Sequence, residues 1–148
     1  MDRRLISQLI LVILSALVQN FSWFSFGGLK VNLPLVVVLS FAFIVNNWPN
    51  YVLLSLTSAY LLKVYNGWDL VNFVFLSILL LVYLLKKFLP WRSLLNYLIF
   101  VAVATFLSYF LVDFQFLRSD YLIFLRELIY NLLFGGLIYL ILSSFYAP

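Results

Sequence analysis

The chain has no cysteine and no histidine among its 148 residues. That removes disulfides, thiolate nucleophiles, imidazole bases and most transition-metal sites at once. Charge is scarce too. Asp, Glu, Lys and Arg supply 9% of the chain, against about 25% in an ordinary soluble domain. So few charges cannot cover a surface that faces water. Glycine is held to 5 residues and proline to 4, and no linker, repeat or low-complexity tract interrupts the chain. Gly27–Gly28 and Gly135–Gly136 are isolated doublets rather than a phosphate-binding loop. The acids Asp2, Asp69, Asp113, Asp120 and Glu127 are scattered, and no two make a local metal-binding pair. Acid–base work would fall to carboxylates, Lys or Tyr, and nothing in the sequence arranges them for it. The expectation is a protein without catalysis, cofactor or metal.

What is present is apolar. Hydrophobic residues make up 66% and aromatics 20%, which reads as an integral membrane protein forming one polytopic domain over residues 1–148. The net charge of +4 comes from Lys and Arg dispersed between apolar runs. They form no basic face, so they carry orientation rather than a nucleic-acid footprint. The opening "MDRRLISQLILVILSALVQN" has the charge-then-apolar order of a signal peptide. No small-x-small cleavage site follows it and the rest is equally apolar, so a retained first span is expected.

Six apolar runs emerge: Leu5–Phe26, Val31–Val45, Tyr51–Leu62, Leu70–Leu85, Leu94–Val112 and Tyr121–Tyr146. A spanning helix needs about 20 residues. The third run is too short unless it borrows "NNWPN" before it or "KVYNG" after it. Charge bias resolves its status. Arg3 and Arg4 precede the first run, and Lys86, Lys87 and Arg92 precede the fifth. Both clusters are cytoplasmic only if an even number of spans lies between them, so the third run is expected to cross. The fold class is therefore an all-α membrane protein, a compact bundle of six transmembrane helices. Both termini are expected to be cytoplasmic and the Asp113–Asp120 loop external. Trp23, Trp48, Trp68 and Trp91 all fall at run ends or between runs, where indole sits at the headgroup level. Pro49 and Pro90 are expected in loops, and Pro34 in the first turn of the second helix.

Polar residues inside the runs are spaced for helices. Gln8, Ser15, Gln19 and Ser22 share one face of the first. Ser55 and Ala59, with Ser58 beside them, and Ala104 with Ser108, are small-residue pairs that let membrane helices approach closely. The last run, "YLIFLRELIYNLLFGG", carries Arg126, Glu127 and Asn131. Asp120, Glu127 and Asn131 fall on one face, and Arg126 lies about 100° around from Glu127. An ionised group at mid-membrane costs at least about 2.5–3.5 kcal/mol. Arg126 is long enough to reach headgroups. Glu127 is expected to turn inward and share a hydrogen bond with Asn131. These four residues are the candidate contacts for a partner or ligand.

Four stretches resemble the bacterial rod shape-determining protein MreD family. "MDRRLISQLILVILSALVQ" resembles its short basic N-terminus and first helix. "GGLKVNLPLVVVLSFAFI" resembles its second helix, where a proline opens an aliphatic run. "KKFLPWRSLLNYLIF" resembles the basic turn before its fifth, and "RELIYNLLFGGLIYLIL" its last helix. The chain departs from the family near the third helix, where Lys63 stands close to the usual acid and only Gly67 matches the Gly-containing loop. The resemblance implies a non-catalytic scaffold in the bacterial inner membrane that binds an MreC-like bitopic protein. It would thereby link MreB filaments with a RodA-type glycosyltransferase and a class B penicillin-binding protein in peptidoglycan synthesis. The six-helix layout also resembles the S-components of energy-coupling-factor vitamin transporters. Those proteins bind a small molecule, usually in a polar pocket near the outer face.

Overall fold

The computed structural model describes residues 3–21, 25–26, 29–62, 68–89 and 94–146. Asp2, Ser22, Trp23, Gly27, Gly28, Lys63, Gly67, Pro90, Trp91 and Arg92 lie outside the described residues. The elements are α1 (Arg3–Asn20), β1 (Ser25–Phe26), β2 (Leu29–Lys30), α2 (Leu33–Ile44), α3 (Trp48–Leu61), α4 (Leu70–Leu85), α5 (Leu94–Val112), α6 (Phe114–Ser119) and α7 (Tyr121–Tyr146). One 3-10 turn, Lys86–Phe88, continues α4. Apart from the two-residue antiparallel pairing of β1 with β2, the fold is helical.

Four helical segments are long and apolar enough to cross a membrane: Arg3–Asn20, Leu70–Phe88, Leu94–Val112 and Tyr121–Tyr146. Of the six transmembrane helices expected from the sequence, four are of full length and the second and third, α2 and α3, are short. α2 has 12 residues and α3 has 14. At about 1.5 Å per residue they reach about 18 and 21 Å, well under a hydrocarbon core of about 30 Å. α3 gains what length it has by taking in Trp48–Asn50. Pro49, expected in a loop, instead occupies its first turn, where a missing N–H costs no helical bond. The expected external loop Asp113–Asp120 contains α6. Asp113 nucleates it by accepting from the Phe116 amide at 3.0 Å, an N-cap bond.

α2 is the centre of the bundle. Every residue from Pro34 to Phe43 is buried, and the helix packs against α1, α3, α4, α5 and α7. A helix that is apolar all round belongs in an interior, and the aliphatic run "LPLVVVLSFAFI" has no polar side to turn outward. Around it the other helices bury Val12, Tyr51, Leu54, Leu79, Tyr97 and Val101. Their outer faces expose Ile10, Leu81, Ile99, Leu133, Leu137 and Leu140, a surface suited to lipid rather than water. Trp48 and Trp68 are exposed. Gly135 marks the closest approach of α7 to its neighbours. A Cβ there would stand 2.9 Å from the Tyr97 hydroxyl and 3.3 Å from Val36. That hydroxyl cannot easily yield, because it donates to the Val36 carbonyl at 3.0 Å and its ring stacks on Tyr139 at 4.6 Å.

Cross-helix bonds fix the directions. The Tyr146 hydroxyl donates to Ser7 Oγ at 2.9 Å, joining the end of α7 to the start of α1. Asn20 donates to the Leu61 carbonyl at 2.9 Å, joining the ends of α1 and α3. Arg3, Arg4, Lys86 and Lys87 therefore gather at one end of the bundle. Asp69, Asp113, α6 and the start of α7 gather at the other. These are called the basic end and the acidic end below.

Candidate functional site

A short helix in a membrane leaves its terminal amides and carbonyls away from bulk water, and each must be satisfied by protein. The N-terminus of α2 shows how this is done. Asn131 Oδ1, from the middle of α7, accepts from the Asn32 amide at 2.8 Å. Gln19 Oε1, near the end of α1, accepts from the Leu33 amide at 3.2 Å. Asn32 Oδ1 accepts from the Leu35 amide at 3.2 Å. Asn131 Nδ2 then donates to Thr105 Oγ1 of α5 at 3.2 Å. Asn131 is 2% exposed, so this amide is a structural keystone joining α2, α5 and α7.

The same residues wall a crevice of about 390 Å³ that opens toward the acidic end. Gln19, Asn32, Thr105, Ser108, Glu127 and Asn131 line it, together with Asp113, Tyr109 and three aliphatic side chains. Among the described residues its lining holds two carboxylates, Asp113 and Glu127, and no Lys or Arg. Chemically the crevice offers amide, hydroxyl and carboxylate groups, suited to a polar group delivered from the acidic end.

The structure brings Glu127 and Asn131 to this crevice and leaves the other two candidates outside it. Glu127 is half-buried and Arg126 exposed. The expected bond between Glu127 and Asn131 does not form. Asn131 is held instead by Asn32 and Thr105. Asp120 is exposed and bonds Ser119 at 2.8 Å. It precedes α7 with non-helical dihedrals, so the helical face that groups it with Glu127 does not extend to it. Its carbonyl instead starts α7, accepting from the Ile123 and Phe124 amides at 2.9 and 3.2 Å.

Sequence reasoning did not single out Asn32, Thr105 or Ser108 as site residues. Asn32 two positions before Pro34 is an N-cap pattern and could have been read as a helix start needing partners. Gln19 was visible as part of the polar face of α1, without its target. A second polar junction was also missed. At the basic end, Lys86 Nζ donates to the carbonyls of Ala42 and, at 2.8 Å, Val45. It also sits 3.9 Å from the centre of the Tyr83 ring, which stacks on Tyr51 at 4.5 Å. An ammonium at the carbonyl end of a helix is favoured by the helix dipole.

Among the described residues, no group of three or more Asp or Glu could hold a metal ion. No protein family, curated protein or solved structure matches this chain.

Proposed function

We propose that this chain is a non-catalytic scaffold of the bacterial inner membrane that works by holding a partner at its acidic-end crevice. The observation that carries the reading is the crevice itself: polar groups from α1, α5, α7 and the N-cap of α2 converge in one concavity. Intramembrane polar groups of this kind are expensive and mark sites of interaction. The partner in this reading is an MreC-like bitopic protein, through which the scaffold would meet MreB filaments and peptidoglycan synthases. Its support is the resemblance of the N-terminus, second helix, basic turn and last helix to the MreD family. Both termini are cytoplasmic in this arrangement, since the basic end carries Arg3, Arg4, Lys86 and Lys87.

Two experiments test it. With no native cysteine, single cysteines at Lys87 and Ser119 give a clean accessibility pair. Labelling of the Ser119 site alone from outside is expected, and labelling of the Lys87 site alone overturns the orientation. A photo-crosslinker at Ser108, which lines the crevice, should capture an MreC-like protein encoded beside the gene. Glu127→Lys, which reverses the charge in the crevice, should reduce that capture at least tenfold. Equal capture by both forms sinks the scaffold reading at this site.

A second reading rests on the size and charge of the crevice. Its volume of about 390 Å³ falls within the range of about 300–1,000 Å³ typical of small-molecule sites, and its amides, hydroxyls and carboxylates suit a polar ligand. In that reading the chain is an S-component-like binder for a transporter. Mass spectrometry of small molecules released on denaturing the purified protein separates the two. A stoichiometric polar organic molecule supports the binder, and its absence together with MreC-like capture supports the scaffold.

A further inference from the structure

A second concavity lies on the outer side of the same helices, where α5, α6 and α7 meet. We propose that it binds one acyl chain of an anionic phospholipid, with the lipid phosphate held by Arg118. The groove encloses about 450 Å³. Phe106 and Phe110 of α5, Phe114 of α6 and Leu125 of α7 form its apolar walls, with Tyr121 and Arg118 completing it. The Phe106 and Phe110 rings stack at 5.8 Å, and Phe114 meets Phe110 edge-on at 5.3 Å, so the wall is continuous. Each of these phenylalanines remains about half exposed, which leaves its outer face free for a neighbour.

Charge and polarity choose the occupant. Among the described residues Arg118 is the one ionised side chain in the lining, and it has no hydrogen-bond or ion-pair partner there. A guanidinium beside an apolar slot is complementary to a phosphate ester above a hydrocarbon tail. A peptide strand or loop would need hydrogen-bond partners along its backbone, and the aromatic and aliphatic walls supply none. An acyl chain needs none. Position agrees, because α6 links the end of α5 to the start of α7, and Tyr121 marks the level where aromatic rings meet headgroups. The groove is also joined to the crevice. Phe124, which lines the groove, meets Tyr109, which lines the crevice, at 5.5 Å. This site stands whichever occupant the crevice takes.

The test is native mass spectrometry of the full chain released from bilayers containing equal phosphatidylglycerol and phosphatidylcholine. The wild type should retain the anionic lipid over the zwitterionic one. Arg118→Gln should reduce that preference about fivefold, the worth of one cation at a membrane surface. Arg126→Gln removes an exposed cation outside the groove and should leave the preference unchanged. Phe110→Trp narrows the groove and should reduce retention of both lipids. Equal retention of the two lipids by the wild type overturns the proposal. So does an Arg126→Gln effect as large as that of Arg118→Gln, which would make the preference a property of general surface charge.

Discussion

At its N-terminal end α2 is finished by neutral amides that arrive from α1 and α7. At its C-terminal end a single ammonium, Lys86, reaches two carbonyls from α4. The helix is the same and the requirement is the same, since no peptide group can be left open in hydrocarbon. The difference lies in what each solution leaves behind. A lysine satisfies carbonyls and stops there, packed on Tyr83. Amide side chains both accept and donate, so Asn131 caps α2 and still bonds Thr105. The amide end is therefore also the end with a polar crevice, and the ammonium end is closed by aromatic rings. A binding site has been built from the by-product of capping a short helix.

Substitutions at the two ends should pull this comparison apart. The largest loss is expected for Lys86→Met, which orphans the Ala42 and Val45 carbonyls. Removing charge-assisted bonds of this kind costs about 2–3 kcal/mol, readable as unfolding free energy in mixed detergent micelles. Lys87→Met, at an exposed neighbour, is the control and should change it by less than about 0.5 kcal/mol. A loss shared equally by both would mean that charge at this end matters and capping does not. Asn131→Leu comes next, at about 1–2 kcal/mol, because hydrogen bonds between membrane helices are individually modest. Combining it with Lys86→Met should give the sum of the single losses, since the two ends share no partner. A strongly non-additive result would show that α2 responds as one rigid unit. Gln19→Leu should lose about 0.5 kcal/mol, its bond to Leu33 being the longer of the two interhelical amide caps. Arg126→Lys should be silent by the same measurement, because either side chain reaches the headgroups.

The helices themselves were legible from the apolar runs, and most of their ends fall within a few residues of the run ends. Length was not. Val31–Val45 and Leu70–Leu85 look alike as apolar strings, yet one makes a central 12-residue helix and the other continues through Phe88 into a segment of membrane length. Periodicity reports which side of a helix is polar. It is silent for a run with no polar side, and so could not say that α2 is the core. At the site, the inward turn of Glu127 and Asn131 could be read from their spacing along one helix. The partners of Asn131 could not, because Asn32 and Thr105 are distant in sequence and Thr105 carries no local pattern. Asp120 shows the opposite error: a helical face was extended one residue past the point where the helix begins.

The bond between Asn32 and Asn131 spans 99 positions, and this sets an order of events as the chain is made. At a synthesis rate of about 5–20 residues per second, α2 waits about 5–20 seconds for the residue that caps its first amide. Lys86 emerges sooner, 41 positions after Val45. During that interval the nascent helix is too short to span and too apolar to remain in water. Only Gln19 and Asn32 are on hand for its N-terminus. In the proposed membrane setting, α2 must therefore be sheltered beside α1 until α7 appears. A chain truncated before α7 should never mature, and should instead be cleared by membrane proteases.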